Sequence, residues 1–322
     1  MSVLTFKNHI VYNQNTNLEW PRPDDWLPMP TNIDSSSSAF AGLHAIFPTG
    51  SNYSTFLFTT TTGQYQVNWG DGTTTLHNSN TTASREYNFN TYDTGSQTLS
   101  KRGYKQVMIT VTPVTASAHF TLCNFQQRFS TSPAQNQVYS TGFLDCILSM
   151  PSASSGNTIV FGGTTVGHRY VERFDIKTIG GCTQLPSLFQ NCTSLQSVPL
   201  FNTQNVTTMG SMFLTCASLL TAPAFNTQNV TNTSNMFNEC SSLREIPSYN
   251  TTNVTNMQAM FRGCGALQKV PFFDTQNVTN MFQMFSACRS LMSVPAFNTS
   301  KCTTMGGMFE ACSMLKELPN FD

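Results

Sequence analysis

Along the second half of the chain the apolar positions keep a fixed beat. Phe189, Phe213, Phe237, Phe261, Phe285 and Phe309 stand 24 residues apart, as do Leu195, Leu219, Leu243, Leu267, Leu291 and Leu315. Cys192, Cys216, Cys240, Cys264, Cys288 and Cys312 take the same step, and a proline column runs from Pro199 to Pro319. One unit of this length cannot bury its apolar side alone, whereas stacked units can, so the period predicts a solenoid of coils. Within a copy, Val206, Met209, Met212, Phe213 and Cys216 fall at helix-like spacing, which predicts an apolar side carrying a short helical turn, capped by the preceding Asn-Val-Thr corner. Two adjacent positions between the fixed Leu and the fixed Pro belong on a strand at the inner curve.

The first half has another texture, of short Thr-rich and aromatic runs broken by turn signals, which predicts a β-sandwich. In "YQVNWGDGTTTL" (65–76) Asp71-Gly72 favours a tight hairpin turn, and "GYKQVMITVTP" (103–113) alternates as a strand does. Ahead lies "EWPRPDDWLPMPTN" (19–32), where four prolines hold the chain extended while Trp20, Trp26, Leu27 and Met29 give it apolar teeth. Such an arm either packs on its own domain or docks on a partner. Stepping back by 24 from "QSVP" (196–199) reaches "ERFD" (172–175) and then "LSMP" (148–151), which predicts two degenerate coils serving as an amino-terminal cap.

The residues "MFxxCxxLxx[VI]PxFNTxNVTxM" resemble the BspA-like leucine-rich repeats of bacterial and phage surface proteins. That resemblance implies a curved stack with a binding or structural role and no catalytic residues. Trp-Gly-Asp-Gly, then "REYNF", then Gly-Tyr-x-x-Val-x-Ile-x-Val resemble a PKD domain, which implies an immunoglobulin-like spacer or adhesion module. The expected fold is therefore mainly β with short helical turns: an extended arm over 1–40, a PKD-like sandwich over 41–115, a linker with degenerate capping coils over 116–175, and the repeat solenoid over 176–322. Arm, sandwich and repeats together resemble structural proteins of tailed phages of marine bacteria and cyanobacteria.

Charge and chemistry narrow the picture. Sixteen basic and sixteen acidic residues cancel, which removes the electrostatic footprint for nucleic acid or anionic membranes. The first residues do not read as a secretory signal, and no apolar run is long enough to cross a bilayer. The ladder cysteines lack the close pairs of a metal site, and equivalent Cβ atoms in stacked coils stay too far apart for a disulfide, so the ten cysteines read as buried free thiols. Asn205, Asn229, Asn253 and Asn277 each open an Asn-Val-Thr sequon, but the preferred reading is a corner residue that bonds turn backbone. His9, His44, His77, His119 and His168 show no ligand or catalytic spacing, "GGTTVG" (162–167) is too weak a phosphate motif to count, and Asp24-Asp25 is thin ground for glycan cleavage. Asp71 has a cation site as its alternative to a turn role. No enzyme activity, cofactor or metal is expected.

If the repeats make contacts, variation marks the place. Two adjacent columns change freely between copies: Gln196, Leu220, Arg244, Gln268, Met292, Lys316, and beside them Ser197, Thr221, Glu245, Lys269, Ser293, Glu317. Candidate binding residues are Arg244, Glu245, Lys269, Met292, Lys316 and Glu317, expected to face solvent; Trp20, Trp26, Leu27 and Met29 are the candidate docking arm. The chain closes at "KELPNFD", which predicts an uncapped last coil in which Leu315, Leu318 and Phe321 have no successor, the edge being blunted in part by the charges of Lys316 and Glu317 or covered by a neighbouring subunit or virion protein. The expected role is a virion structural protein on capsid or tail, assembled in the host cytoplasm and oligomeric in the particle. Its expected partners are other virion proteins and a host-surface glycan or protein, with no nucleic acid and no membrane insertion. A bacterial surface adhesin and, more weakly, a glycan-active enzyme are the alternatives.

Overall fold

The structure is a computed structural model that describes residues 20–49, 52–92, 99–129, 138–139, 142–163 and 168–321. His9, most of "GGTTVG" and Asp322 lie outside the described residues. Twelve strands form there: β1 (Ala39–Ile46), β2 (Asn52–Thr60), β3 (Gln64–Asn68), β4 (Thr74–Asn78), β5 (Thr81–Tyr87), β6 (Lys105–Pro113), β7 (Phe120–Asn124), β8 (Arg128–Phe129), β9 (Val138–Tyr139), β10 (Phe143–Ser149), β11 (Ile159–Val160) and β12 (Arg173–Thr178). They make a six-stranded sheet, β12-β10-β1-β6-β3-β4, a four-stranded sheet, β11-β7-β2-β5, and the β8-β9 pair.

The two larger sheets meet through aromatic rings. Phe40 of β1 lies 6.2 Å from Phe56 and 6.0 Å from Phe58, both of β2, and Phe56 stacks on Trp69 at 5.6 Å. Gly42 keeps this layer closed, because a Cβ there would sit 2.5 Å from the Phe143 ring. The Asp-Gly hairpin is present: Gly70 and Gly72 take positive φ, Trp69 N–H donates to Thr73 O at 3.0 Å, and β3 pairs with β4. Asp71 is committed to the turn and to Arg85, whose Nε donates to Oδ2 at 2.9 Å, so the carboxylate serves a salt bridge where a cation site was the alternative. Burial alone would raise the Asp71 carboxyl, yet the bonds from Thr73 and Arg85 bring it below its ordinary value.

β1 and β10 are buried on both faces, which needs a cover on the outer side of the six-stranded sheet. The arm supplies it. Trp26, 4% exposed, packs with Leu43, Ala45, Tyr104 and Leu144 and donates from Nε1 to Tyr104 Oη at 2.7 Å. Trp20, Leu27 and Met29 pack around that cluster. Of the two roles open to the arm, residues 20–33 take the first, packing on their own domain.

The stretch expected as linker and capping coils is instead sheet. β7, β10 and β11 complete the two sheets, and β10 is the antiparallel neighbour of β1. β10 and β12 run parallel with Asp145 opposite Arg173, an offset of 28, so "LSMP" does not continue the 24-residue register. β12 does, because Arg173 bridges Ser197 and Phe174 N–H donates to Ser197 O at 3.2 Å. One strand is thus both the edge of the six-stranded sheet and the first rung of the repeats.

From there the copies stack. Phe213, Phe237, Phe261, Phe285 and Phe309 form a column with centroids 5.4–5.8 Å apart and planes within 9°. A second aromatic column, among it Tyr249, Phe273, Phe297 and Phe321, lies against the first. Parallel bridges join Gln184, Thr208, Asn232, Asn256, Asn280 and Thr304, one per coil.

No α-helix occurs among the described residues, which corrects the expected helical turn. The segment is a run of turns, with Ser211 and Thr215 at φ 57 and 65 and their counterparts likewise left-handed in each copy. Met212, Leu214 and Cys216 donate N–H three residues back within their coil, at 3.0–3.1 Å. Met209, Ser211, Phe213 and Thr215 donate instead to Asn232, Ser234, Met236 and Asn238 of the next, at 2.8–3.0 Å. A helix would spend its N–H groups internally, and its diameter of about 10 Å could not fit coils spaced as closely as these rings. The strand expected between Leu and Pro is reduced to single bridges, Thr221 to Glu245 and Lys269 to Ser293.

Candidate contact surface

All ten cysteines are free, and the ladder members from Cys192 to Cys288 are buried. They are more than filler. The thiols of Cys216, Cys240, Cys264 and Cys288 donate to the carbonyls of Phe189, Phe213, Phe237 and Phe261 of the preceding coil at 3.0–3.1 Å. Each such carbonyl also accepts the N–H of its own coil's cysteine, so a small side chain with a donor suits the column. Burial pushes these thiols well above the ordinary thiol range. The corner asparagines act on backbone as well: Nδ2 of Asn229, Asn253 and Asn277 donates to Gln204, Gln228 and Thr252 carbonyls at 2.7–2.9 Å. A buried threonine column, Thr203, Thr227, Thr251 and Thr275, donates forward to the next coil at 2.9 Å.

With the interior spoken for, the variable columns between Leu and Pro are one exposed part of a repeat, alongside corner residues such as Gln204, Asn205 and Thr207. Arg244, Glu245, Lys269, Met292, Lys316 and Glu317 are exposed, Met292 by 49%. Gln196 and Ser197 are half-buried because the first coil leans on the edge of the sheet: Gln196 Nε2 donates to Glu172 Oε2 at 3.3 Å, and Ser197 N–H to the Glu172 carbonyl; Leu220 and Thr221 of the second coil are half-buried as well. Backbone bonds tie the strip together, Arg244 N–H to Leu220 O and Met292 N–H to Gln268 O, both 2.9 Å. The result is a ledge of mixed charge with one thioether, on a stiff support. At the far end Leu318 is 52% exposed, while Phe321 stacks on Phe297 at 6.1 Å and Phe309 at 6.0 Å.

No catalytic constellation forms among the described residues. His44 Nε2 sits 3.1 Å from the Tyr53 carbonyl, His77 Nε2 2.8 Å from Thr75 Oγ1, and His168 is stacked on Phe161 at 4.0 Å. No three His, Cys, Asp or Glu side chains among these residues gather as a metal site would. Asp24 and Asp25 are both held by Lys101, Asp24 through the ammonium at 2.7 Å and Asp25 through the backbone N–H.

A cluster that sequence reading missed lies beside β12. Asp145, fully buried, accepts from Arg22 Nε at 2.8 Å and Arg173 Nη1 at 3.3 Å; Asp175 accepts from Arg173 Nη2 at 2.7 Å and Lys177 Nζ at 2.8 Å. The alternation Arg-Phe-Asp-Ile-Lys over 173–177 was its one signal, since it places three charges on one face of a strand.

The sequence pattern of one protein family, described as "Mycoplasma protein of unknown function, DUF285", matches residues 159–270 and again 220–321, in keeping with the BspA-like resemblance of the repeats. No curated protein and no solved structure matches the chain. The family match begins at β11, takes in β12 as the first rung, and covers just over half of the chain, which therefore belongs to the DUF285 family.

Proposed function

We propose that this chain is a non-enzymatic structural protein displayed on a phage particle, with the variable ledge of its repeats turned toward a host surface. In this reading the repeats are a leucine-rich-repeat solenoid and the two sheets an immunoglobulin-like, PKD-type spacer. The observation that carries it is the division of labour within each coil. The Phe, Leu, Cys, corner Asn and buried Thr columns are fixed by packing or a backbone bond, while the adjacent pair of columns between Leu and Pro varies from copy to copy and is exposed from Arg244 onward. A scaffold of this kind holds a surface out; it does not hold reacting groups together. The sharing of β12 between sheet and repeats supports it further, because a spacer joined without a linker transmits position.

A bacterial surface adhesin is the second reading, and the family's description, which names a bacterium, favours it. Contact through the ledge is common to both. Replacing Arg244 and Lys269 together by Ala leaves melting unchanged, since both side chains are exposed, and weakens attachment to the host or partner. Unchanged attachment removes the ledge from the account.

A further inference from the structure

Between the arm and β12 opens a pocket of about 520 Å³, walled by Trp20, Met29 and Ile147 and by Arg173, Asp175 and Lys177. A second concavity, of about 410 Å³, shares Lys177 and continues over Leu200, Asn202 and Asn226 of the first coils. Both volumes fall in the range of ligand sites, roughly 300–1,000 Å³.

The chemistry of the walls is mixed in a particular way. The Arg173 guanidinium is stretched between Asp145 and Asp175, and Asp175 also takes Lys177, so the polar groups are fixed before any ligand arrives. Arg22, Arg173 and Lys177 face Asp145 and Asp175, which leaves one net positive charge. Lys177 is its best-placed carrier: an ammonium has three donors, Asp175 takes one, and the side chain is 34% exposed. Trp20 is half-buried, with its ring 5.6 Å from that of Trp26, and adds an aromatic surface to the same pocket. A pyranose ring has an apolar C–H face, suited to the electron-rich face of an indole, and a polar rim suited to rigid planar donors and acceptors. An extended peptide fits less well. It would need a free strand edge, and β12 is paired with β10 on one side and joined to Ser197 on the other at Arg173 and Phe174.

We propose that this pocket binds an acidic saccharide, with a sugar ring on Trp20, its carboxylate on Lys177, and the next sugar lying toward Leu200, Asn202 and Asn226. The inference rests on the surface-contact reading only for where such a glycan is met; the site itself stands on its own geometry.

Titration calorimetry of the full chain with trigalacturonate, a neutral galactose trisaccharide, acetate and a short peptide with a free carboxylate tests it. Trigalacturonate binds, and the neutral sugar binds about tenfold more weakly, the loss of one charge-assisted hydrogen bond. Lys177→Gln removes that difference with only a small fall in melting, since Arg173 still holds Asp175, and Trp20→Ala weakens both sugars by about tenfold. Three results overturn the proposal: no heat with millimolar trigalacturonate, acetate or the peptide binding as tightly as the sugar, or both variants binding as the parent does. Failure here, with attachment still lost in the Arg244→Ala and Lys269→Ala protein, leaves the ledge standing. The reverse pattern leaves the pocket standing without the ledge.

Discussion

Phe261 is the most informative single residue to remove. It is fully buried, stacks on Phe237 at 5.8 Å and Phe285 at 5.7 Å in neighbouring coils, and lies 5.9 Å from Phe273 of the second column. Phe261→Ala leaves a cavity that its neighbours cannot fill, because each is pinned by its own stack. The expected cost is about 4 kcal/mol, the middle of the range for buried Phe to Ala. Phe309 is half-buried, with Phe285 as its neighbour in the column, so Phe309→Ala costs about half as much. The stack also makes a claim about pairs. Phe237 and Phe261 touch, so the double variant departs from additivity by about 0.5–1.5 kcal/mol, whereas Phe213 and Phe285, which are not neighbours, add. Urea unfolding followed by circular dichroism gives all of these values, provided the slope is compared between variants. Equal costs for Phe261 and Phe309, or additivity in the adjacent pair, would refute a nearest-neighbour stack.

Ellman's reagent labels few thiols in the native protein, the half-buried Cys302 and Cys312 first, and all ten after denaturation; mass spectrometry showing bridges between coils would contradict the free-thiol ladder. Burial holds the imidazoles of His44 and His168 down at about 4 and about 3, from an ordinary 6.5. Well above pH 6.5 both are neutral folded and unfolded, so stability there is complete; as pH falls through 6.5 the unfolded chain takes up protons first. The protein should lose at least about 2 kcal/mol between pH 6.5 and 4, and His168→Phe should flatten that slope; equal slopes would show that other groups set it. Replacing Asn253 by Ala removes its bond to the Gln228 carbonyl at an exposed corner, and the melt should fall by only about 0.5–1 kcal/mol.

The period of the repeats was plain in the sequence because packing fixes Phe, Leu, Cys and Pro at one site per coil. The same columns misled on local structure. A spacing of three, three, one and three residues from Val206 to Cys216 suits one face of a helix, but it equally suits successive turns that point inward, and only the left-handed backbone at Ser211 and Thr215 separates them. Asp71-Gly72 announced its hairpin because that geometry is local. The boundary after residue 115 was illegible because β7 and β10 are defined by distant partners in β2 and β1. The ion cluster beside β12 was hidden for the same reason: Arg22 and Asp145 meet across 123 positions. Exposure of the variable columns from Arg244 onward followed from the pattern, while the half-burial of Gln196 and Ser197 depended on a sheet edge that the repeats themselves do not encode.

The proposed display role is tested most directly by quantitative peptide mapping of purified phage particles from the source, alongside the envelope fraction of uninfected cells. A virion structural protein gives peptides from both the sheet region and the coils, in fixed ratio to the other particle proteins. Absence from the particles, with the peptides recovered from cell envelopes instead, would contradict the virion reading and leave the adhesin in its place.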